Sequence, residues 1–584
     1  MTDTARAWGV EDGYHDVFGN WHQADGETLD RLVDRLSAGR AAPSDMRTSV
    51  DVDLRAFQGD GGPGWGLAVQ LYSVRSATNW GIGDFTDLRH ILGLAARSGA
   101  SAVGLNPLHA LFLDRPEAAS PYAPNSRLFL NPLYIDVTAI PEFEGIEDPS
   151  LGGAVEALRA NDLVDYVGVA ALKERMLRAV YARFLERGTT ERAARFANFR
   201  AAQGEKLTRF SCFEILRRRF NRASWRQWPD PWKNPDTTTL NELRRRQDRE
   251  CGFFEFLQWV ADDQLAACRD NAKELGLPIG LYLDLAVGVD PDGADAWSNQ
   301  SAVLREFSVG APPDEFNPAG QDWGLAPFNP HALQDHDFAA FRELLAAAMR
   351  HAGAVRLDHV LGLMRLYLVP HGAGASRGAY LRFPFEPLLR VIAEESNKYR
   401  CVFIGEDLGT VPEGFRETAA RWGVWTYRVM MFERWGDGEF KKPHDYPHEA
   451  LATFNTHDLP TFRGWVSGHD LDVKRALGID PGEDNDSRQR AREALGRALS
   501  SGENGSGEGL PSACAYLAAT PAKLVMVSLE DMLDVVEQVN IPGTIDQHPN
   551  WRRKLPVALE EWTEGDTWKM VASTFERAGR SLRR

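Results

Sequence analysis

The sequence predicts an α/β fold, a (β/α)8 TIM barrel with inserted helical and loop subdomains, on three observations. Eight short apolar runs recur along the 584 residues, amphipathic stretches separate several of them, and acidic residues stand near the ends of four runs. Strands that alternate with helices are typical of parallel sheets, and barrel enzymes collect their chemistry at the carboxyl ends of the strands. An open doubly wound sheet is the alternative, although no G-x-G-x-x-G motif supports a dinucleotide site there.

The eight predicted strands are short and rich in β-branched residues. They occupy residues 64–74, 101–111, 277–289, 354–363, 401–409, 425–433, 451–461 and 524–533. Helices are predicted between them, for example in "DFTDLRHILGLAARSG" and in "DFAAFRELLAAAMRHAG", which ends at a helix-stopping glycine.

The spacing of the strands predicts the domain organisation. Residues 1–55 form a small N-terminal appendage with one helix, and residues 56–584 form the barrel, with insertions at about 112–276 and 290–333. The first insertion is far longer than a βα loop and is predicted to be helical. The second carries the Gly/Pro/aromatic loop "GAPPDEFNPAGQDWGLAPFNP", and the polar "SSGENGSGEG" (500–509) is predicted to be a flexible surface loop.

Composition excludes several classes of function. With 66 basic and 83 acidic residues the net charge is −17, which disfavours nucleic acid as a partner. No run approaches the roughly 18 apolar residues of a membrane span, and the first residues lack a signal-peptide pattern. The five cysteines are scattered without C-x-x-C spacing, so we expect neither a disulfide framework nor a zinc site. The sequence therefore predicts a cytoplasmic protein with no membrane partner.

The apolar stretch "AVRLDHVLGLMRLYL" (354–368) has charged residues in its middle. In a strand, Arg356 and Asp358 point to one face while Leu357 and His359 point to the other. Charged residues are rarely buried unless they are paired, so from this stretch alone a structural ion pair and a functional pair are both open. His359, on the other face, is interpreted as structural.

Four predicted strands carry an acid near the carboxyl end. These are Asp284, Asp358, Glu406 and Asp458. Any one of them alone would be interpreted as a helix cap or a surface charge. Four in the same register would converge on one pocket, where mutual repulsion destabilises the fold, so the set favours a functional site.

Converging carboxylates suit two kinds of chemistry. One is a magnesium cage of oxygen ligands, and the other is glycosyl transfer, in which one carboxylate attacks the anomeric carbon and a second protonates the leaving oxygen. Arg356, two residues before Asp358, would keep that acid ionised and would repel a metal ion. His457, beside Asp458, is either a donor to a sugar hydroxyl or a core histidine. We therefore favour sugar chemistry and predict neither a metal nor any other cofactor.

Seven segments in chain order resemble the signature segments of the 4-alpha-glucanotransferases, the amylomaltase or disproportionating-enzyme family of the α-amylase superfamily. They are "NWGIGDF" (79–85), "SPYAPNSRLFLNPLYID" (120–136), "GAPPDEFNPAGQDWG" (310–324), "RLDHVLGL" (356–363), "IGEDLGTVP" (404–412), "NTHDLPT" (455–461) and "NIPGTIDQHPNWRRKL" (540–555). The resemblance implies a retaining α-1,4-glucan transferase with a (β/α)8 barrel and no C-terminal β-domain.

The resemblance also implies the roles of particular residues. Asp358 would be the nucleophile, Glu406 the general acid and then base, and Asp458 the residue that stabilises the transition state. Six further residues would bind substrate or orient these acids. Arg356 would hold Asp358, His457 and Asp284 would bind hydroxyls, Tyr122 would stack on the donor sugar, Trp323 would form an acceptor platform and Asn540 would line the site.

The sequence also leads to one hypothesis about the loop 310–330 and to two alternative functions. The loop 310–330, with Phe316, Trp323 and Phe328, is predicted to cover the site and bind the acceptor, the 4-hydroxyl of a maltooligosaccharide or glucose. The nearest rival is an α-glucan hydrolase on the same barrel. A catalytically silent glucan-binding protein is the rival from another class, although it could dispense with the acids.

Overall fold

A closed barrel of eight parallel strands lies at the centre of the computed structural model, which describes residues 2–16, 19–37, 49–50, 53–313, 319–500 and 509–582. In chain order the barrel strands are β1 (Gly64–Val69), β2 (Ala102–Leu105), β3 (Gly280–Leu285), β4 (Ala354–Leu357), β5 (Val402–Gly405), β6 (Trp425–Val429), β7 (Ala450–Thr453) and β8 (Leu524–Ser528). Each strand pairs with its neighbours in the sequence, and β8 pairs with β1. The predicted barrel is confirmed. Seven strands fall within the predicted runs, and β7 begins at Ala450, one residue before its run.

Helices follow most of the barrel strands. Those that precede the next strand, or that follow β8, are Phe85–Arg97, Asp248–Glu274, Ala339–Met349, Phe385–Tyr399, Phe415–Arg421, Leu510–Ala518 and Asp566–Arg577. Shorter or additional helices in these connections are Ala294–Ser298, Pro330–Asp335, Phe462–Ser467, His469–Ala476, Asn485–Ser500 and Leu529–Met532. The β6–β7 connection, residues 430–449, is described throughout and contains only the short 3-10 turns Met430–Phe432 and Pro443–Asp445.

The long connection between β2 and β3 is helical, as its length predicts. Its helices before Asp248–Glu274 are Leu151–Ala160, Tyr166–Arg187, Thr190–Arg219, Asp230–Lys233 and Thr237–Arg246, and its strands are His109–Ala110 and Ser126–Leu130. The helix Thr190–Arg219 is kinked at Gly204, where φ is 58°. Phe213 and Trp228 of this region form a separate buried cluster with Trp297 of the next connection, which stabilises these helices.

A second sheet lies beside the barrel and is not predicted by the sequence analysis. Its four antiparallel strands are Phe307–Ala311, Gln321–Leu325, Arg365–Pro370 and Ala379–Arg382. The stretch 354–368 accordingly does not form one strand. It divides into β4, a 3-10 turn at Val360–Leu363 and a strand of the second sheet, because His359 has a φ of 49° that ends extended structure.

The N-terminal residues pack against this second sheet. They form the helices Thr2–Ala7 and Gly26–Ser37 and the antiparallel strands Gly13–His15 and Trp21–Gln23. Val10 bridges to Leu381 at the edge of the sheet, and the Glu11 carboxylate accepts hydrogen bonds from Arg365 and Arg382. The domain boundary at residue 55 stays a prediction. Most of the predicted loop 500–509 lies outside the described residues.

Candidate functional site

The four predicted acids lie at the carboxyl ends of four barrel strands. Asp284 is the penultimate residue of β3. Asp358 follows β4 directly and Glu406 follows β5 directly, while Asp458 lies five residues beyond β7. Strands β3, β4 and β5 are neighbours in the barrel. The parallel register therefore brings three of the acids to adjacent positions on one rim.

Arg356 links two of these acids. The register of β3 and β4 places Arg356 opposite Asp284, and the Arg356 Nη1 atom donates to both carboxylate oxygens of Asp284 at 2.8 Å. Its Nη2 atom donates to Asp358 Oδ1 at 3.0 Å. The guanidinium is 8% exposed and also lies 5.5 Å from the centroid of the Tyr427 ring. A buried arginine held on two sides in this way fixes the direction of the Asp358 carboxylate.

The ionisation of Asp358 depends on burial and on its charged neighbours. Burial raises the pKa of Asp358 to about 6, although Arg356 opposes the rise and Glu406 and Asp284 add to it. The cost of desolvation and the neighbouring acids therefore outweigh the one cation. With a pKa of about 6 the carboxylate is still largely ionised at neutral pH.

Glu406 is held by the backbone. Its Oε2 atom accepts a hydrogen bond from the His359 amide at 2.8 Å, and its Oε1 atom accepts one from the Leu408 amide at 2.9 Å. Residues 359 and 360 lie so close to the end of β5 that position 405 requires a glycine. A Cβ atom there would lie 2.7 Å from the Val360 side chain. Both carboxylate oxygens are thereby oriented towards the rim.

The pKa of Glu406 is raised above its ordinary value by burial, which Arg356 and the two amide hydrogen bonds partly offset. The neighbouring apolar residue Ile404 is fully buried. A raised pKa favours the protonated form of a carboxyl group, which is the form that a general acid needs. This ionisation suits a residue that acts first as an acid and then as a base.

Asp458 belongs to a second group of polar residues. Asn540 Nδ2 donates to Asp458 Oδ1 at 2.6 Å, and His457 Nε2 lies 3.2 Å from Asp458 Oδ2. Burial alone would raise the pKa of Asp458, but His457 and the Asn540 hydrogen bond hold it below its usual value. Burial alone would likewise lower the pKa of His457, and the Asp458 carboxylate raises it. The pair is therefore an ionised carboxylate beside an imidazole that tends to be protonated.

Aromatic rings connect the two groups. The Tyr122 hydroxyl donates to Asp284 Oδ2 at 2.5 Å and lies 3.3 Å from His457 Nδ1. The Tyr122 ring stacks on the His457 ring with centroids 4.8 Å apart, and Trp551 contacts both rings. Tyr122 and His457 line a pocket together with Asp284 and Arg356. The structure therefore brings eight of the nine predicted site residues together around the barrel mouth.

Trp323, the ninth predicted site residue, lies in the second sheet. Its ring is half-buried and meets the His359 ring edge-on, with centroids 5.1 Å apart. This contact joins Trp323 to the rim at the end of β4. Phe328 of the predicted covering loop packs beneath the Arg127 guanidinium, and Phe316 lies outside the described residues.

The sequence analysis missed three residues of the site. Gln538 donates to the carbonyl oxygens of Asp458 and Asn540 at 2.8 and 2.6 Å, and Trp551 supports Tyr122 and His457. The structural interpretation of His359 is incomplete. Strand alternation no longer applies after β4 ends at Leu357. The His359 amide contacts Glu406, and the His359 ring contacts Trp323. Trp551 lies inside a resemblance segment and could have been singled out there, whereas Gln538 carries no signal of its own.

Known proteins resemble this chain over most of its length. The profile of the 4-alpha-glucanotransferase family matches residues 69–559. A 4-alpha-glucanotransferase of Haemophilus influenzae is 36% identical over 530 residues, which cover 85% of this chain and 76% of the relative. One of Mycobacterium tuberculosis is 36% identical over 532 residues, covering 85% and 72%.

Solved structures of amylomaltases resemble the whole chain. Amylomaltase from Corynebacterium glutamicum superposes with a TM-score of 0.85 at 26% identity, covering 98% of this chain and 99% of that one. Amylomaltase from Streptococcus agalactiae in complex with acarbose gives a TM-score of 0.71 at 18% identity, covering 89% and 100%, a likeness of fold. The family profile, the curated relatives and the barrel with its acids agree, and the chain belongs to the 4-alpha-glucanotransferase family of the α-amylase superfamily.

Proposed function

We propose that Asp358 is the nucleophile, Glu406 the acid and base, and Asp458 the stabilising carboxylate of this enzyme. Members of the family transfer segments of α-1,4-glucan to an acceptor with retention of configuration. The observation that carries the assignment is the contrast between two neighbouring acids: Asp358 is aimed by a side-chain cation, Arg356, while Glu406 is held by two backbone amides.

The first half of the proposed cycle forms a glucosyl-enzyme. Asp358 Oδ1 is occupied by Arg356, so Oδ2 is the oxygen that attacks the anomeric carbon. The bond between that carbon and the glycosidic oxygen breaks, and Glu406 transfers its proton to the departing oxygen. The released segment leaves with a free 4-hydroxyl, and Glu406 becomes a carboxylate that the His359 and Leu408 amides stabilise.

The second half reverses the first with a new partner. The 4-hydroxyl of an acceptor glucan or of glucose gives its proton to Glu406 and attacks the anomeric carbon, which frees Asp358. Two inversions at one carbon give net retention. Trp323, which reaches the rim through His359, would supply the acceptor platform and so favour a sugar over water.

Asp458 and Tyr122 would hold the sugar at the nucleophile, and their neighbours would position them. Asp458, ionised and backed by Asn540 and His457, would accept hydrogen bonds from sugar hydroxyls that strengthen in the transition state. Tyr122 would stack on the donor sugar with the ring face that His457 leaves free. Asp284 is already bonded to Arg356 and Tyr122, so we assign it mainly to positioning these two residues.

The products made from maltotriose test this proposal against its rivals. We expect a ladder of longer maltooligosaccharides together with glucose, because acceptor sugars outcompete water at the intermediate. Thin-layer or anion-exchange chromatography of the products measures this. Glucose and maltose alone would indicate a hydrolase, and no turnover would indicate a glucan-binding protein. Loss of activity with a chelator would support a metal-dependent mechanism.

The pH dependence tests the environment of Asp358. Because the carboxylate must be ionised to attack, kcat/KM should fall as the pH drops through about 6, the pKa of Asp358. Arg356 lowers that pKa, so Arg356→Met should move the acid limb upward by about 1 to 3 pH units. Arg365→Met, which removes an arginine paired with Glu11 instead, is the control. An acid limb that stays in place in Arg356→Met contradicts the assignment.

The proposed partners are neutral sugars, namely maltooligosaccharides and glucose. The net charge of −17 gives no basis for binding a polyanion such as nucleic acid. Among the described helices, none is long and apolar enough to cross a bilayer. We propose a cytoplasmic site of action on the sequence pattern alone, since scattered cysteines are typical of proteins from reducing compartments.

A further inference from the structure

Asp531 is a buried carboxylate at the carboxyl end of β8. It lies in the short helix Leu529–Met532 and is 4% exposed. The Asp531 amide donates to the hydroxyl of Ser528, the last residue of β8, at 3.2 Å, which attaches the residue closely to the barrel. A buried carboxylate is costly unless its oxygens accept hydrogen bonds, so its partners indicate its role.

The two Asp531 oxygens bind the two ends of the loop that carries His457 and Asp458. Oδ2 accepts a hydrogen bond from Asn455 Nδ2 at 3.1 Å, and Oδ1 accepts one from the Phe462 amide at 2.6 Å. Asn455 stands where the chain leaves β7, and Phe462 begins the next helix. One carboxylate therefore holds both the entry and the exit of this loop.

The same contacts close the loop on itself. Asn455 Nδ2 also donates to the Pro460 carbonyl at 3.0 Å, so Asp531 binds the amide group that joins the two ends. The tip of the loop is held separately, because the Asn540 amide donates to the His457 carbonyl at 3.1 Å. Since β8 pairs with β7, Asp531 ties the base of the loop to a second strand of the barrel.

We propose that Asp531 is a positioning residue for the transfer reaction, which fixes this loop so that Asp458 meets the sugar at the correct distance. The proposal rests on the proposed role of Asp458 as the stabilising carboxylate. Two donors converge on Asp531 from the two ends of the loop, and a carboxylate offers an acceptor oxygen to each, whereas an asparagine offers one.

The expected effect lies in the chemical step. A displacement of about 1 Å can lower a rate about a hundredfold, so loosening the base of the loop should affect turnover. The hydrogen bonds that Asp458 accepts from sugar hydroxyls strengthen in the transition state, and interactions of that kind contribute to kcat more than to KM. Loss of the positioning residue should therefore lower kcat and leave KM nearly unchanged.

The test is a double-mutant cycle in the intact enzyme with maltotriose as the donor. For Asp531→Asn, which keeps the size of the side chain, we expect kcat to fall about 10- to 100-fold and KM to change less than about threefold. For Asp458→Asn we expect a fall of about 10²- to 10³-fold. Because Asp531 acts through Asp458, kcat of the double variant should stay within about threefold of Asp458→Asn alone.

Asp534→Asn is the matched control. Asp534 is exposed and pairs with Arg463, which follows Phe462 in the same helix. This substitution therefore removes a surface link between the same two segments of the chain, a kind of pair that contributes little. It should leave both kcat and KM at the wild-type values.

Three results would overturn the proposal. They are wild-type kcat in Asp531→Asn, an equal loss in Asp534→Asn, and losses that multiply in the double variant. Multiplied losses are the result of a purely structural role, since a smaller folded fraction lowers every rate by the same factor. If melting curves show that Asp531→Asn does not fold, Asn455→Ser, which keeps a hydroxyl donor, replaces it in the cycle and decides.

The cycle also separates this proposal from the one on which it rests. Wild-type turnover in Asp458→Asn would refute the assigned role of Asp458, and the role of Asp531 with it. A large loss in Asp458→Asn together with multiplied losses in the double variant would refute the role of Asp531 alone.

Discussion

Replacing Asp358 with asparagine should lower kcat on maltotriose by roughly ten-thousand-fold, the scale seen when a nucleophile is removed from a catalytic unit. Asparagine keeps the size of the side chain, and its amide oxygen can still accept from Arg356 Nη2. It cannot form a stable ester-like bond to the anomeric carbon. The measurement is product formation by chromatography, with the melting temperature recorded to show that the fold is intact.

The control for this variant is Glu417→Gln, which neutralises an exposed acid on the helix Phe415–Arg421 and should keep wild-type turnover. Wild-type turnover in Asp358→Asn would refute the double-displacement mechanism proposed for this chain. A loss of similar size in Glu417→Gln would mean that the assay responds to charge in general and not to the nucleophile.

Replacing Glu406 with glutamine should lower kcat by about 10²- to 10⁴-fold, the usual contribution of general acid–base catalysis. The glutamine has one carbonyl oxygen, so one of the two amides that now hold Glu406 would face an NH2 group. A maltosyl fluoride donor distinguishes the loss of proton donation from this local structural change. Fluoride leaves without protonation, so the first half-reaction should recover while the second, which needs the base, stays slow.

The second part of this experiment is mass spectrometry. With the fluoride donor, the Glu406→Gln enzyme should accumulate a covalent maltosyl adduct on the peptide that contains Asp358. Asp358→Asn with the same donor should form no adduct. If the adduct appears on another acid, the nucleophile is misassigned, and if the fluoride donor gives no recovery, Glu406 is not the general acid.

Much of the fold was predictable because its signals are local. Eight apolar runs with helical patterns between them specify βα units, and the carboxyl-end rule then places Asp284, Asp358 and Glu406 on one rim. The second sheet was not predictable in the same way. Its strands come from two distant segments, 307–325 and 365–382, and its strand Arg365–Pro370 follows β4 so closely that the two appear as one apolar run.

The part of the site that was not predictable depends on tertiary distances. The pKa of Asp358 is set by burial and by the distances to Arg356, Glu406 and Asp284, and the sequence gives neither the degree of burial nor these distances. Gln538 and Trp551 act through contacts with residues that are close in space. Strand alternation does not determine the position of His359, because the strand ends at Leu357.

The backbone anchoring of Glu406 affects which substitutions the site can tolerate. Because the His359 and Leu408 amides hold the carboxylate, the side chain at position 408 can vary without loosening it, and proline is the residue that would remove the donor. At position 359, the φ of 49° favours the few residue types that accept a left-handed backbone. A comparison of sequences by side-chain identity would therefore overlook position 408, although its amide holds Glu406, the proposed general acid.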